Sequence, residues 1–276
     1  MANSVPLLGL NDGHKAPQLG FGVFQIPDDE TSRAVQEALN AGYRSIDTAA
    51  IYKNEEGVGQ GIERSGVARA DIFLTSKLWN SEQGFDSTLR AFDTSVKKLG
   101  TDYLDMYLIH WPTPRNDRYV DTWKAFIRLR EEGRIRSIGV SNFQPDHLER
   151  ILKETGVAPV VNQIELHPDF AQNDVVAANR AHQVITEAWS PLGQGGDLLK
   201  NETLVTLGKT YSKSPAQVVL RWHVQLGHMV IPKSVTPERI RSNIDVFDFE
   251  LTADDMAAIA KLDSAKRMGP NPDELN

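Results

Sequence analysis

The chain has 276 residues, a formal net charge of −7 and no cysteine. The missing cysteine excludes disulfides, thiolate catalysis and cysteine-ligated metals, and agrees with a cytoplasmic protein. The acidic balance argues against nucleic-acid binding, no apolar run approaches the ~20 residues of a membrane helix, and residues 1–6 carry no basic segment leading into an apolar one.

With 40% hydrophobic and 24% charged residues the composition is that of a folded globular chain. Leu7–Leu10 and Ala16–Leu19 flank Asn11-Asp12-Gly13, a strong hairpin turn signal. A short strand over 19–24 follows, bent by Gly20 and Gly22. A helix is expected over 31–41, capped by Thr31 and ended by Gly42. Strand then alternates with helix: strand 44–48, helix 55–64, strand 72–76, helix 86–99, strand 103–109, helix 119–132, strand 135–140, helix 145–154, strand 160–166, helix 175–182, strand 184–189. After a glycine-rich loop at 191–196 come helix 215–226, strand 229–232, and helices 237–245 and 253–262. About eight such units in one chain of this length predict parallel strands with right-handed crossovers, closed as a (β/α)8 TIM barrel, with residues 1–276 as one domain. An open doubly wound sheet is the rival, because local pattern does not say whether a sheet closes.

In a barrel the chemistry gathers where the strands end. Three successive strands end near Asp47, Lys77 and His110, and Tyr52 follows the first of them. These four residue types suit carbonyl reduction. A phenol with an ordinary pKa of ~10 is a poor acid at neutrality, and an ammonium beside it favours its anion. Asp47 would hold that ammonium, and His110 would orient a carbonyl oxygen. Each has a plainer reading alone: a turn cap, a rim lysine, a packed phenol, a structural histidine. Their arrival together in three consecutive units favours the chemical one.

Two features invite misreading. Gly57-Val58-Gly59-Gln60-Gly61 suggests a dinucleotide fingerprint, yet it begins inside a helix and places Ile62 where the third glycine belongs, so close packing of that helix on the barrel explains it better. His14, His147, His167, His182, His223 and His228 form no HxH or HExxH pair, so no metal site is expected.

Asp47-Thr48-Ala49 with Tyr52 and Asn54-Glu55 resembles the first signature of the aldo-keto reductases. Thr75-Ser76-Lys77-Leu78-Trp79, Tyr107-Leu108-Ile109-His110-Trp111-Pro112, Gly139-Val140-Ser141-Asn142-Phe143, Asn162-Gln163-Ile164-Glu165 and Ile231-Pro232-Lys233-Ser234 follow in the family's order. The likeness spans nearly the whole chain. Val246-Phe247-Asp248-Phe249 and Leu166-His167-Pro168 bring it close to the bacterial branch typified by 2,5-diketo-gluconate reductases.

This resemblance implies a barrel that binds NADPH, without a Rossmann domain, and reduces aldehydes and ketones, including 2,5-diketo-D-gluconate or methylglyoxal-like dicarbonyls. Tyr52 would donate the proton, tuned by Lys77 and Asp47, with His110 placing the carbonyl. Ser141, Asn142 and Gln163 would bind the nicotinamide carboxamide, and Trp189, where many members carry Tyr, would stack on its ring. Ser190, Pro191, Leu192, Gly193 and Gln194 would wrap the pyrophosphate. Lys233, Ser234, Val235 and Arg239 would hold the adenosine 2′-phosphate and Asn243 the adenine. Ser242 stands where a Glu is common. Phe24, Trp79, His110 and Trp111 would line the substrate pocket, with the 264–276 tail near its mouth. The family implies a monomer.

A lyase using Lys77 as a Schiff-base amine is a second reading, and would need that amine neutral. A cofactor-sensing barrel that reduces little is a third.

Overall fold

A computed structural model describes residues 5–276; most of the opening segment read above for a targeting signal lies outside them. An antiparallel hairpin, β1 (Leu7–Gly9) and β2 (Lys15–Pro17), comes first, followed by β3 (Phe21–Gly22). The chain continues as α1 (Asp28–Asn40), β4 (Ser45–Asp47), α2 (Glu55–Ser65), β5 (Phe73–Leu78), α3 (Phe85–Leu99), β6 (Leu104–Ile109) and α4 (Tyr119–Glu131). Then come β7 (Ile135–Ser141), α5 (Pro145–Thr155), β8 (Val161–Glu165), α6 (Asn173–Ala181) and β9 (Ile185–Trp189). α7 (Glu202–Tyr211), α8 (Pro215–Gln225), β10 (Met229–Val230), α9 (Pro237–Ile244) and α10 (Ala253–Ala260) complete the order.

Strands β3 to β10 pair in parallel in chain order. A parallel bridge between Leu19 and Val230 joins the first to the last. Gly20 N donates to Val230 O, and Val230 N to Gln18 O, each at 2.9 Å. The sheet therefore closes, and the (β/α)8 barrel holds against the doubly wound alternative.

Alternation along the strands divides the side chains. In β6, Met106 and Leu108 pack with Val161 and Met229 inside the barrel, while Tyr107 and Ile109 join the layer between sheet and helices. Leu10 and Ala16 of the hairpin belong to the inner cluster. Asn11 Nδ2 donates to Pro159 O and Gln183 O, so the hairpin plugs the end of the barrel where strands β8 and β9 begin.

The glycines of α2 are a packing device, but against neighbouring helices rather than against the barrel, where close packing was expected. A Cβ at Gly59 would meet Leu99 O at 2.6 Å, and one at Gly61 would meet Ser32 O and Val35 Cβ, each at 2.7 Å. Helices α1 and α3 thus lie against α2 at backbone distance.

Two expectations need correction. α1 begins at Asp28, and Thr31 lies inside its first turn. Its hydroxyl donates to Ile26 O and Pro27 O, so it is not the cap. α7 is absent from the sequence reading, although Asn201 caps it by accepting from Thr203 N at 2.9 Å and Leu204, Leu207 and Gly208 bury one face.

Candidate active site

The stretch after β4 is tied down before it presents any chemistry. Thr48 Oγ1 donates to Asn54 Oδ1 at 2.8 Å, and Asn54 Nδ2 donates to Val23 O and Ile26 O, each at 3.0 Å. A single 3-10 turn, Ala50–Tyr52, then carries the phenol.

β4, β5, that turn and the end of β6 bring the four expected residues together. Lys77, fully buried, donates from Nζ to Asp47 Oδ1 at 2.5 Å and to Thr48 O at 3.0 Å. The same ammonium makes a long contact of 3.5 Å to the Tyr52 hydroxyl oxygen. Because Lys77 donates there, the phenol's own proton is left to point elsewhere. The His110 ring lies edge-on to Tyr52, with centroids 5.7 Å apart. His110 Nδ1 is buried without a hydrogen-bond partner among the described residues.

The electrostatics follow from burial. Burial alone would lower the Lys77 pKa, but Asp47 and Tyr52 outweigh it and the ammonium is held above its ordinary value. Burial raises the Tyr52 phenol; Lys77 lowers it, and Asp47 and Glu187 raise it. The expectation that Lys77 favours the phenolate is right for that pair, yet burial outweighs it in the free protein. Burial, then Lys77, push His110 well below the usual imidazole range, so the ring is neutral at physiological pH.

Behind this group lies a carboxyl that the sequence reading missed. Glu187 of β9 is 2% exposed, and its Oε2 accepts from Gln163 Nε2 at 2.8 Å. The same nitrogen donates to Asp47 Oδ2 at 2.9 Å. Burial and the neighbouring Asp47 push the Glu187 carboxyl up to about 7. Strand alternation gave no signal for it, since Glu187 shares the parity of Ile185 and Trp189, both only partly buried.

The other expected residues surround this centre. Ser141 Oγ donates to Gln163 O at 2.8 Å. Asn142 adopts φ +63° just after β7 and donates from Nδ2 to His110 O at 2.9 Å. The Trp189 indole donates to Asn142 Oδ1 at 2.8 Å. Ser190 and Gln194 also have positive φ, 48° and 53°. Asn142 and Ser190 thus follow β7 and β9 directly, and Gln194 lies in the loop beyond β9. Leu198 packs under Gly193 and holds the loop. Lys233, Val235 and Arg239 are exposed beyond β10, Ser234 and Asn243 are buried, and Lys233 and Arg239 make no ion pair among the described residues. Phe24 stacks at a tilt on Tyr52 with centroids 4.9 Å apart, and Trp79 and Trp111 flank His110 at 5.3 and 6.4 Å.

The C-terminal segment crosses this mouth. Glu165 accepts from Met268 N and Gly269 N at 2.6 and 2.8 Å, and His167 Nε2 lies 3.0 Å from the same carboxyl. A Cβ at Gly269 would come within 2.5 Å of the Trp189 ring. Further on, His147 Nε2 lies 3.5 Å from Asp273, and Arg115 N donates to Asn276 Oδ1 at 2.8 Å. Asp146, His147 and Asp273 stand at metal-ligand spacing, but His147 Nδ1 already accepts from Gln144 N in the cap of α5.

Residues 18–264 match the aldo/keto reductase family. A solved aldo/keto reductase from Brucella melitensis is 61% identical, with a TM-score of 0.93, covering 95% of this chain and 100% of that one. Methylglyoxal reductase DkgA of Escherichia coli is 52% identical over 276 residues, 100% of this chain and 99% of that protein. A variant of Gox0644, solved in complex with NADPH, is 52% identical with a TM-score of 0.95, covering 99% of this chain and 100% of that one.

Proposed function

The chain belongs to the aldo/keto reductase family, and on that premise we propose that it reduces aldehydes and ketones with NADPH, Tyr52 donating the proton. The observation that carries this reading is the buried Asp47–Lys77 pair, with Nζ 3.5 Å from the Tyr52 oxygen and, beside it, the His110 ring, whose Nδ1 has no hydrogen-bond partner among the described residues.

The residues present suit the cofactor. Two exposed cations with no ion-pair partner among the described residues, Lys233 and Arg239, stand at the start of α9 where a phosphate would be held. Trp189 offers a half-buried aromatic face beside the catalytic group. Bound NADPH supplies the hydride. The chain's part is to place the carbonyl oxygen between the Tyr52 hydroxyl and the neutral His110 ring, and to deliver the Tyr52 proton to that oxygen while Lys77 balances the phenolate left behind. The mouth is apolar and aromatic, formed by Phe24, Trp79 and Trp111. A relative named methylglyoxal reductase supports small dicarbonyls as substrates. A Schiff-base role for Lys77 fits poorly, because Asp47 keeps that amine charged.

The test is a calorimetric titration with NADPH and NADH, then turnover of aldehydes, dicarbonyls and sugar-derived ketones. Tyr52→Phe is expected to abolish turnover and keep NADPH binding. Normal turnover in that variant would remove Tyr52 from the role.

A further inference from the structure

Gln163 spends its amide nitrogen on two carboxyls at once. Nε2 donates to Asp47 Oδ2 at 2.9 Å and to Glu187 Oε2 at 2.8 Å. An unbroken line of contacts thus runs from Glu187 through Gln163, Asp47 and Lys77 to the Tyr52 hydroxyl. We propose that Glu187 is a positioning residue of this site, a second buried carboxyl that fixes the Gln163 amide against Asp47 and so sets both the cofactor grip and the setting of the proton donor. The inference rests on the reductase reading above.

Geometry and charge support it. Asp47 faces Glu187 from β4, Lys77 from β5, Gln163 from β8 and Tyr52 from the turn after β4. On β10 its register partner is the uncharged Met229. One ammonium therefore serves two carboxyls. With Glu187 protonated, Lys77 and Asp47 cancel, and Tyr52 can release a proton at the cost of one net negative charge. With Glu187 ionised, the same release leaves two net negative charges in a closed pocket, which disfavours the phenolate. Gln163 matters equally for the cofactor. With Nε2 committed to both carboxyls, its remaining oxygen can only accept, so Glu187 also fixes which end of the amide faces a ligand.

The sign of the pH dependence follows. The Glu187 carboxyl is raised from 4.5 to about 7. The folded protein therefore holds more protons than the unfolded chain between those values, and this group's contribution to stability is lost as pH rises across that window. Proton donation weakens as pH rises through about 7, where the folded carboxyl ionises.

The experiment compares the full-length protein with Glu187→Gln and Glu187→Ala. Calorimetry measures NADPH binding, carbonyl reduction is followed from pH 5 to 9 (a range of roughly two units either side of neutrality, set by the titration in question), and thermal unfolding of the free proteins is followed over the same range. Glu187→Ala is expected to weaken NADPH binding about tenfold, the loss of one buried anchor. Glu187→Gln, which still accepts from Gln163, should restore binding to within about twofold. It should also lose the parent's fall in stability as pH rises toward about 7 and its fall in turnover as pH rises through that value. Superimposable pH profiles for the parent and Glu187→Gln, or parent-like NADPH binding by Glu187→Ala, would overturn the proposal. If Glu187→Ala does not fold, the unfolding comparison with Glu187→Gln decides alone. That comparison needs no turnover, so a protein that reduced no carbonyl would sink the reductase reading while Glu187 was still judged.

Discussion

The Trp189 indole N–H is bonded to Asn142 Oδ1 at 2.8 Å, so the ring expected to stack on a nicotinamide also holds the amide expected to bind its carboxamide. The two roles can be separated. Trp189→Phe keeps an aromatic face and loses the bond; it should weaken NADPH binding about threefold by calorimetry. Trp189→Ala loses both and should cost about 30-fold. Equal losses in the two variants would leave the hydrogen bond without a role.

Asp47 and Lys77 are both buried, so removing one strands the other. Asp47→Asn should destabilise the fold by about 3 kcal/mol, read from chemical denaturation. It should also lower carbonyl turnover by about 100-fold, because the ammonium beside Tyr52 loses its tether. A variant with full turnover and parent stability would contradict the pairing.

The packing of α2 offers a control away from the chemistry. Gly59→Ala drives a methyl to within 2.6 Å of Leu99 O, a backbone atom that cannot swing aside. The expected cost is about 2 kcal/mol of stability, with turnover per folded molecule unchanged. An unchanged melting temperature would mean that α3 can retreat from α2.

Acid should loosen the C-terminal strap. Burial raises the Glu165 carboxyl, but the bonds from His167, Met268 N and Gly269 N outweigh it, and the group is held below 4.5. Its stabilising contribution is present above the unfolded value and is lost as pH falls through the folded one. Glu165→Gln puts a donor NH2 where one of the two accepting oxygens stood, and should mimic that release at neutral pH. Faster tryptic cleavage after Lys266 or Arg267 is the measurement; parent-like resistance would show that His147 and Arg115 suffice to hold the strap.

The strands and helices of the barrel were legible in the sequence because each unit repeats the same punctuation. Gly42, Gly100 and Gly133 end helices, and the next strand begins within a few residues. Closure was not legible locally, since it depends on Leu19 meeting Val230 across the length of the chain. α7 was passed over because its stripe follows a loop with no strand between. The grouping of Asp47, Tyr52, Lys77 and His110 was visible in the order of strand ends. Glu187 was not, because a charged residue in a strand reads as an exposed position until its neighbours are known. The clasp at Glu165 was hidden for a related reason: it binds backbone N–H groups of the tail, and backbone leaves no signature in residue type.

The seam between β3 and β10 makes most of the polypeptide one long loop, shut by a few hydrogen bonds between residues 18–22 and 230–232. Every other strand pairs with its chain neighbour and can form as the chain extends. Closure then costs entropy that grows only with the logarithm of loop length, so the late step is a matter of fit more than of reach. The fit is tight: Gly20 and Gly22 leave room only because they lack a side chain against Ser45 and Ile231. The barrel thus behaves like a clasped bracelet, with its cooperativity concentrated at the clasp. Amides of Gly20 and Val230 should exchange with solvent only on global unfolding, and fast exchange there, with a protected β6, would show a barrel that opens at its seam while the rest stays folded.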